Sequence, residues 1–410
     1  MYSELTIKMT KQLSKKEKKE FGIFITPYPI IEKLTSQVFH HIGKTDNVSI
    51  IEPSCGTCEF VKHLDNICES SIITAIEFNP SIFEEIKSLE FKNNTTIVFH
   101  DFIKYKPLHP IDLIIGNPPY FVCKKEIVPK EYTKYMVGRP NIFGIFILHS
   151  LSLLKEDGGI LAFIVPTSLL NAAYYSKIRG YIHETCDILN ILSFNEDTDV
   201  DVGFLDTRQQ ICGLILRRRL KSATMKECSF SLKINNEIIF TNDSLSLQNI
   251  FNGSKTISQI GCKVKTGNIV WNEKKELLTE DETSTMLLYN SNISKTNTLE
   301  TKNFKNDEKK QYINITGKRE IVIVVNRGNG NAAYKLTYAI VDMERDYLVE
   351  NHLNIIYYDG NIDNNEKKII YSKIIESFQN EKTQLFINMF LGNNGLSKTE
   401  LETVFPIYGF

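Results

Sequence analysis

No stretch of this 410-residue sequence approaches the ~20 consecutive apolar residues that span a bilayer, so no membrane partner is expected. The first twenty residues contain no apolar signal core. They are polar, hold five lysines between Lys11 and Lys19, and read as a lysine-rich arm with a short solvated helix. An excess of charge of either sign is absent too: the net charge is −1. Any polyanionic partner must therefore meet a local basic face. The eight cysteines lack the spacing of a disulfide framework and read as free thiols in a reducing compartment. Cys55 and Cys58 have CxxC spacing, but no second pair follows at zinc-ligand distance, so no metal is expected. Internal repeats, collagenous segments and coiled-coil heptads are missing.

What is present is an ordinary globular composition, 42% hydrophobic and 24% charged, in a chain long enough to bury two cores. Apolar strand-like runs alternate with helical patterns through the first half. They are Val48–Ile51, Ile72–Ile76, Thr96–Phe99, Asp112–Ile115 and Ile160–Val165, followed by β-like runs at Ile188–Phe194 and Ile211–Leu216. Ahead of them, Thr26 and Pro27 read as the N-cap and first position of a helix carrying Ile30, Ile31, Leu34 and Val38. Alternation at this spacing predicts an α/β fold, a doubly wound, mostly parallel sheet. The composition shifts at Arg217–Lys221, after which short β-like runs are separated by Asn, Gly and Ser. The expected domains are an arm over 1–20, an α/β domain over 21–222 and a mixed or mostly β domain over 223–410, with a closing helix near Ser372–Phe390.

The stretch around which the first half is organised is Ile114-Ile115-Gly116-Asn117-Pro118-Pro119-Tyr120. Two consecutive prolines fix φ and supply no N–H, so strand Asp112–Ile115 must end in a rigid turn. In an open α/β sheet, ligands bind at the carboxyl ends of strands. The turn would place there an amide side chain, a prolyl carbonyl and an exposed aromatic ring. Asn117 Oδ1 and the Pro118 carbonyl can each accept one N–H, and Tyr120 can stack on a ring. Such a set suits an exocyclic amino group. Other strand ends carry acids: Glu52 precedes Pro53-Ser54-Cys55-Gly56, Glu77 precedes Phe78-Asn79-Pro80, and Asp101-Phe102 follows the third strand.

Taken in order, Thr26-Pro27, Glu52-Pro53-Ser54-Cys55-Gly56, Glu77, Asp101-Phe102 and Asn117-Pro118-Pro119-Tyr120 resemble the γ class of amino-directed DNA methyltransferases. These are the adenine-N6 enzymes of restriction–modification systems. The likeness covers about residues 20–220 and continues more weakly through Val264–Asn272, Arg327–Asn331 and Leu391–Lys398. It implies S-adenosylmethionine as cofactor, with Glu77 accepting from both ribose hydroxyls, Asp101 from the adenine amino group and the Phe102 N–H addressing the ring. The resemblance also places Phe78 and Phe146 on either side of the cofactor adenine. Thr26 and the turn after Glu52, with Ser54 and Gly56, would hold the methionine end. The family usually has glycine where this chain has Cys58.

For the reaction, the resemblance implies catalysis by Asn117, Pro118, Pro119 and Tyr120 on an adenine flipped out of duplex DNA. Tyr120 would stack on one face of the base and Phe204 on the other, with Phe194 as the fallback. The C-terminal domain would read the target sequence, with Lys263, Lys265, Trp271, Arg327, Lys335 and Lys398 as candidate DNA contacts. No Pro-Cys dipeptide occurs, which sets aside cytosine-C5 chemistry. The rivals are methylation of RNA adenine, protein glutamine or cytosine N4, and a non-catalytic DNA-binding relative. Double-stranded DNA, and a separately encoded restriction endonuclease, are the expected partners. The expected location is the cytoplasm of a prokaryotic cell, or intracellular for a chain from a large DNA virus.

Overall fold

The computed structural model describes residues 3–12, 14, 26–194, 210–220, 229–234, 237–328, 334–391 and 395–410. Within them the chain divides into two compact units, Met1–Ser244 and Leu245–Phe410.

The first unit is built on a seven-stranded sheet. In chain order its strands are β1 (Ser49–Glu52), β2 (Ile72–Glu77), β3 (Asn94–Phe99), β4 (Leu113–Gly116), β5 (Ile160–Pro166), β6 (Cys186–Ser193) and β7 (Ile211–Arg218). Their spatial order is β3-β2-β1-β4-β5-β7-β6. All neighbours through β5 are parallel, while β7 runs antiparallel to both β5 and β6. Helices cover both faces, so the central strands have no wet side, and β5 is buried along its whole length. The pleat assigns alternate residues to opposite faces. Ile51 and Ile114 join the apolar cluster that holds the helix Ile142–Leu153. Ile50, Leu113 and Ile115 join the one that holds Ile31 and Leu34. Each such buried aliphatic side chain contributes about 1.5–3 kcal/mol.

Two local readings of the sequence need correction. The helix Tyr28–Ile42 begins after Pro27, and no side chain caps it; the Thr26 hydroxyl is engaged elsewhere. Nor is the lysine-rich arm simply solvated. Its helix Glu4–Gln12 buries Met9 and Thr6, and the Thr6 hydroxyl lies 2.6 Å from Thr57 Oγ1 and 2.6 Å from Glu59 Oε1. The first unit also continues past the composition shift. A hairpin, Ser231–Ile234 with Glu237–Phe240, is held to it by Arg179, which is almost fully buried. Arg179 donates to the carbonyl of Ile238 at 2.5 Å.

The second unit contains two four-stranded sheets. One orders Cys262–Thr266, Leu353–Tyr358, Val322–Asn326 and Tyr338–Val341; the other orders Leu278–Thr279, Tyr312–Ile313, Thr285–Leu288 and Tyr347–Val349. The expected closing helix is two helices, Asn364–Phe378 and Glu381–Phe386. The break falls at Asn380, whose side chain accepts the Lys382 N–H and starts the second helix.

Candidate active site

Parallel register aligns the carboxyl ends of the central strands: Glu52 pairs with Ala75, Glu77 with Phe99, and Gly116 with Phe163. The strand order runs one way from β1 to β3 and the other way from β4, so the crevice of a doubly wound sheet lies between β1 and β4. A cavity of about 930 Å³ opens there. Thr26, Glu52, Ser54, Gly56, Glu77, Phe78, Asp101, Phe102, Asn117, Pro119 and Phe146 all line it. The cofactor residues proposed from the sequence thus share one continuous space. Pro118 and Tyr120 lie outside its lining.

The turn after β1 is held by its own acids. Gly56 has φ +51°, a left-handed conformation that glycine adopts without strain. Its N–H donates to Glu77 Oε2 at 2.8 Å, while Glu77 Oε1 accepts the Asn79 N–H at 2.6 Å. Backbone N–H groups thus hold both oxygens of the carboxylate in place. Burial raises the Glu77 pKa, with the N–H donors of Asn79, Gly56 and Phe78 opposing it. Glu52, 1% exposed, is raised well above the ordinary value by burial, then by the nearby Cys58 and Glu77. A Cβ at position 116 would collide with Glu52 Oε1, which explains the glycine that closes β4.

Cys58 shows what its unusual identity costs. Its φ is +65°, in the left-handed region where glycine is the unstrained residue. The thiol is turned into the core, 3.8 Å from Cys55 Sγ, and Cys58 is not on the cavity wall.

The aromatic walls differ in kind. Phe78 is 58% exposed and Phe146 only 7%, yet both line the cavity. Phe146 is backed by Phe102, ring centroids 5.0 Å apart. Asp101 Oδ1 accepts the Ile103 N–H at 3.1 Å, and Oδ2 lies 3.1 Å from Lys104 Nζ.

At the acceptor turn, Asn117 Nδ2 donates to Thr26 Oγ1 at 3.0 Å. That bond orients the amide and directs Oδ1 to the other side, where the Tyr120 hydroxyl donates to it. The same hydroxyl lies 2.8 Å from the Ile164 carbonyl. Ser54 Oγ donates to the Asn117 carbonyl at 3.1 Å, tying the turn after β1 to the turn after β4. Tyr120 is not the exposed tip expected from the sequence. It is half-buried, edge-on to Phe143 at 5.9 Å, and burial pushes its hydroxyl pKa well above the ordinary value. Phe204 lies outside the described residues. Phe194 is 3% exposed and packed against Gly213, so it forms part of the core here.

Residues 54–200 match the family of Eco57I restriction-modification methylases. That stretch spans the turn after β1, the whole of β2 to β5 and most of the strand-end residues named above. Across its full length it is 26% identical to the type II methyltransferase M.CvrRI of Paramecium bursaria Chlorella virus XZ-6E, covering 100% of both chains. It is also 26% identical to the modification methylase CviBIII of Paramecium bursaria Chlorella virus NC1A, covering 99% of each. Among solved structures, the methyltransferase subunit of a type I restriction-modification system from Streptococcus thermophilus has a TM-score of 0.39 at 16% identity, covering 56% of this chain and 52% of that one.

The cavity fits S-adenosylmethionine. A buried carboxylate on the cavity wall suits a diol, two aromatic walls suit a purine, and 930 Å³ lies within the usual size of a cofactor site. Sequence reasoning missed Met9, Asn79 and the segment Glu126–Glu131, which also line it. Asn79 had a local signal, a cap residue before Pro80. Met9 and Glu126–Glu131 reach the cavity only through tertiary packing.

In the second unit the proposed DNA contacts are variously engaged. Lys263 pairs with Asp359 at 2.5 Å, and Lys265 with Glu320 at 4.0 Å. Arg327 Nη1 donates to the Asn351 carbonyl at 2.9 Å. Trp271 is half-buried, with Lys309 5.6 Å from its ring centre. Lys335 and Lys398 are exposed.

Proposed function

We propose that this protein transfers a methyl group from S-adenosylmethionine to the N6 amino group of adenine in duplex DNA. The unit Leu245–Phe410 would serve as the target-recognition domain. The observation that carries the reading is the shared cavity: Asn117 stands on one wall with Glu77 and Asp101 on the others. The likeness to type II methyltransferases along the whole chain supports DNA as the substrate.

The chemistry follows from the acceptors. An adenine amino nitrogen is a poor nucleophile because its lone pair is delocalised into the ring. Asn117 Oδ1 and the Pro118 carbonyl, each accepting one of its hydrogens, favour a pyramidal nitrogen with an available lone pair. They also stabilise the positive charge that develops on it. Thr26 holds the Asn117 amide in the required sense, since its hydroxyl occupies the NH₂ end. Bound in the cavity, the donor supplies an electrophilic sulfonium methyl. The target base must leave the stack to reach this turn, at a cost of a few kcal/mol. The Tyr120 hydroxyl has a second acceptor in Ile164 O, so it can release Asn117 Oδ1 to an incoming amino group. A separately encoded restriction endonuclease would complete a restriction–modification pair, and both substrates place the protein inside a cell.

The test is methyl transfer from labelled donor to duplex DNA, RNA and protein, followed by nucleoside analysis. N6-methyladenine in duplex DNA is the expected product. N4-methylcytosine, or label found only in RNA or protein, would replace this reading with the corresponding rival.

A further inference from the structure

Immediately after the acceptor turn the chain makes an excursion, 122–141, that the proposed chemistry does not use. It holds five cations, Lys124, Lys125, Lys130, Lys134 and Arg139, against two carboxylates, Glu126 and Glu131. All five cations are exposed, and none forms an ion pair among the described residues. Five lysines of the second unit are held differently. There Lys263, Lys275, Lys302, Lys310 and Lys368 each lie within 2.7 Å of a carboxylate oxygen.

The excursion is also held in place. Its neck is closed by the bridge between Val122 and Asn141 and by the Cys123 N–H on the Pro140 carbonyl at 2.9 Å. Its far part is pinned by buried Tyr132, whose hydroxyl lies 3.2 Å from His149 Nδ1. The Tyr135 and Tyr181 rings meet at 4.8 Å. Cations on such a frame lose little further freedom on binding. Ile127, Val128, Pro129 and Lys130 line the cavity that Asn117 lines, so the charged segment borders the place where a base would enter. Val122 and Ile127, 59% and 50% exposed, set apolar surface between the charges.

We propose that the excursion 122–141 is a phosphate-binding face for the DNA strand that delivers the base, with Lys124, Lys125, Lys130, Lys134 and Arg139 as its contact cations. This rests on the reading of the protein as a DNA methyltransferase, and it assigns backbone contacts to the methylase unit as well as to the recognition unit. Unpaired cations meet phosphate without first breaking an ion pair, and each phosphate they neutralise releases condensed counterions.

The experiment uses the full chain and a fluorescent duplex, titrated between about 50 and 200 mM salt. In the variant Lys124→Ala/Lys125→Ala/Lys134→Ala/Arg139→Ala, log affinity against log salt should flatten by about 0.9 for each phosphate that is no longer neutralised. Affinity at low salt should fall at least about tenfold, with S-adenosylmethionine binding unchanged by calorimetry. The matching Lys→Arg variant at 124, 125 and 134 should keep the wild-type slope, and Lys87→Ala, which removes a cation paired with Glu84, should do the same. A quadruple variant with wild-type slope and affinity overturns the assignment while leaving the methyltransferase reading intact. A wild-type protein that binds no duplex overturns both.

Discussion

Glu77 and Asn117 end strands on either side of β1, and they meet the cavity in opposite conditions. Glu77 lines the cavity with both oxygens set by backbone N–H groups. Asn117 has its NH₂ end on Thr26 and its oxygen on the Tyr120 hydroxyl. The cofactor side is therefore preformed, whereas the acceptor side is closed on itself. On the proposed reading the turn grips a base only when one arrives, and meanwhile its polar atoms are satisfied internally, since unpaired buried groups cost about 1–3 kcal/mol each.

Replacement at the acceptor side should produce the largest effect. Asn117→Ala is expected to lower turnover by at least about 10²–10³-fold, the usual loss of one transition-state hydrogen-bonding group, with donor affinity nearly unchanged. Single-turnover kinetics and calorimetry on the same preparation check both halves, and a comparable loss of donor binding would blur that division. Next, Glu77→Gln removes a charge-assisted acceptor pair worth about 1.5–3 kcal/mol. Donor binding should weaken roughly 10- to 150-fold, while turnover at saturating donor is largely kept.

Tyr120→Phe sharpens the contrast from the other direction. It deletes the hydroxyl that occupies Asn117 Oδ1, so stability should fall by about 0.5–1.5 kcal/mol while the KM for DNA does not rise. Urea unfolding and steady-state kinetics read the two effects, and a KM increase of an order of magnitude would show that the hydroxyl helps to bind DNA.

The smallest change is expected at Glu52. Burial raises its folded pKa well above 4.5, so the stability it contributes is present below about pH 4.5 and is lost as pH rises through the folded value. Glu52→Gln cannot ionise and should remove that part of the pH dependence. Without donor, its melting temperature relative to wild type should therefore increase with pH. A difference that is constant with pH would mean that Glu52 is ionised throughout.

The positions most legible in the sequence are those where local chemistry leaves few options. Pro118 and Pro119 stop β4 whatever surrounds them, and near-continuous apolar runs such as Ile160–Val165 suit strands covered on both faces. Glu77 and Asp101 were recognisable as acids just at or after strand ends, where an open α/β sheet binds its ligands. Less legible were positions whose role depends on a distant partner. Thr26 looked like a helix cap because Pro27 follows it, but its hydroxyl instead meets Asn117 beyond the carboxyl end of β4. Met9 looked like part of a solvated arm, because five lysines follow it. Tyr120 looked exposed because turns usually are, and Phe143 together with the Ile164 carbonyl drew it inward.

By itself, then, the amino-acid order determined the strand–helix alternation, the rigid acceptor turn and the acids that face the cofactor space. Each depends on backbone propensity, apolar period or the chemistry of neighbouring residues. Tertiary structure alone decided which lone pairs are taken, which cations stand unpaired and which arm residue enters the cavity. Those depend on register and packing between segments far apart in the chain, where a shift of one residue would turn every side chain to the opposite face.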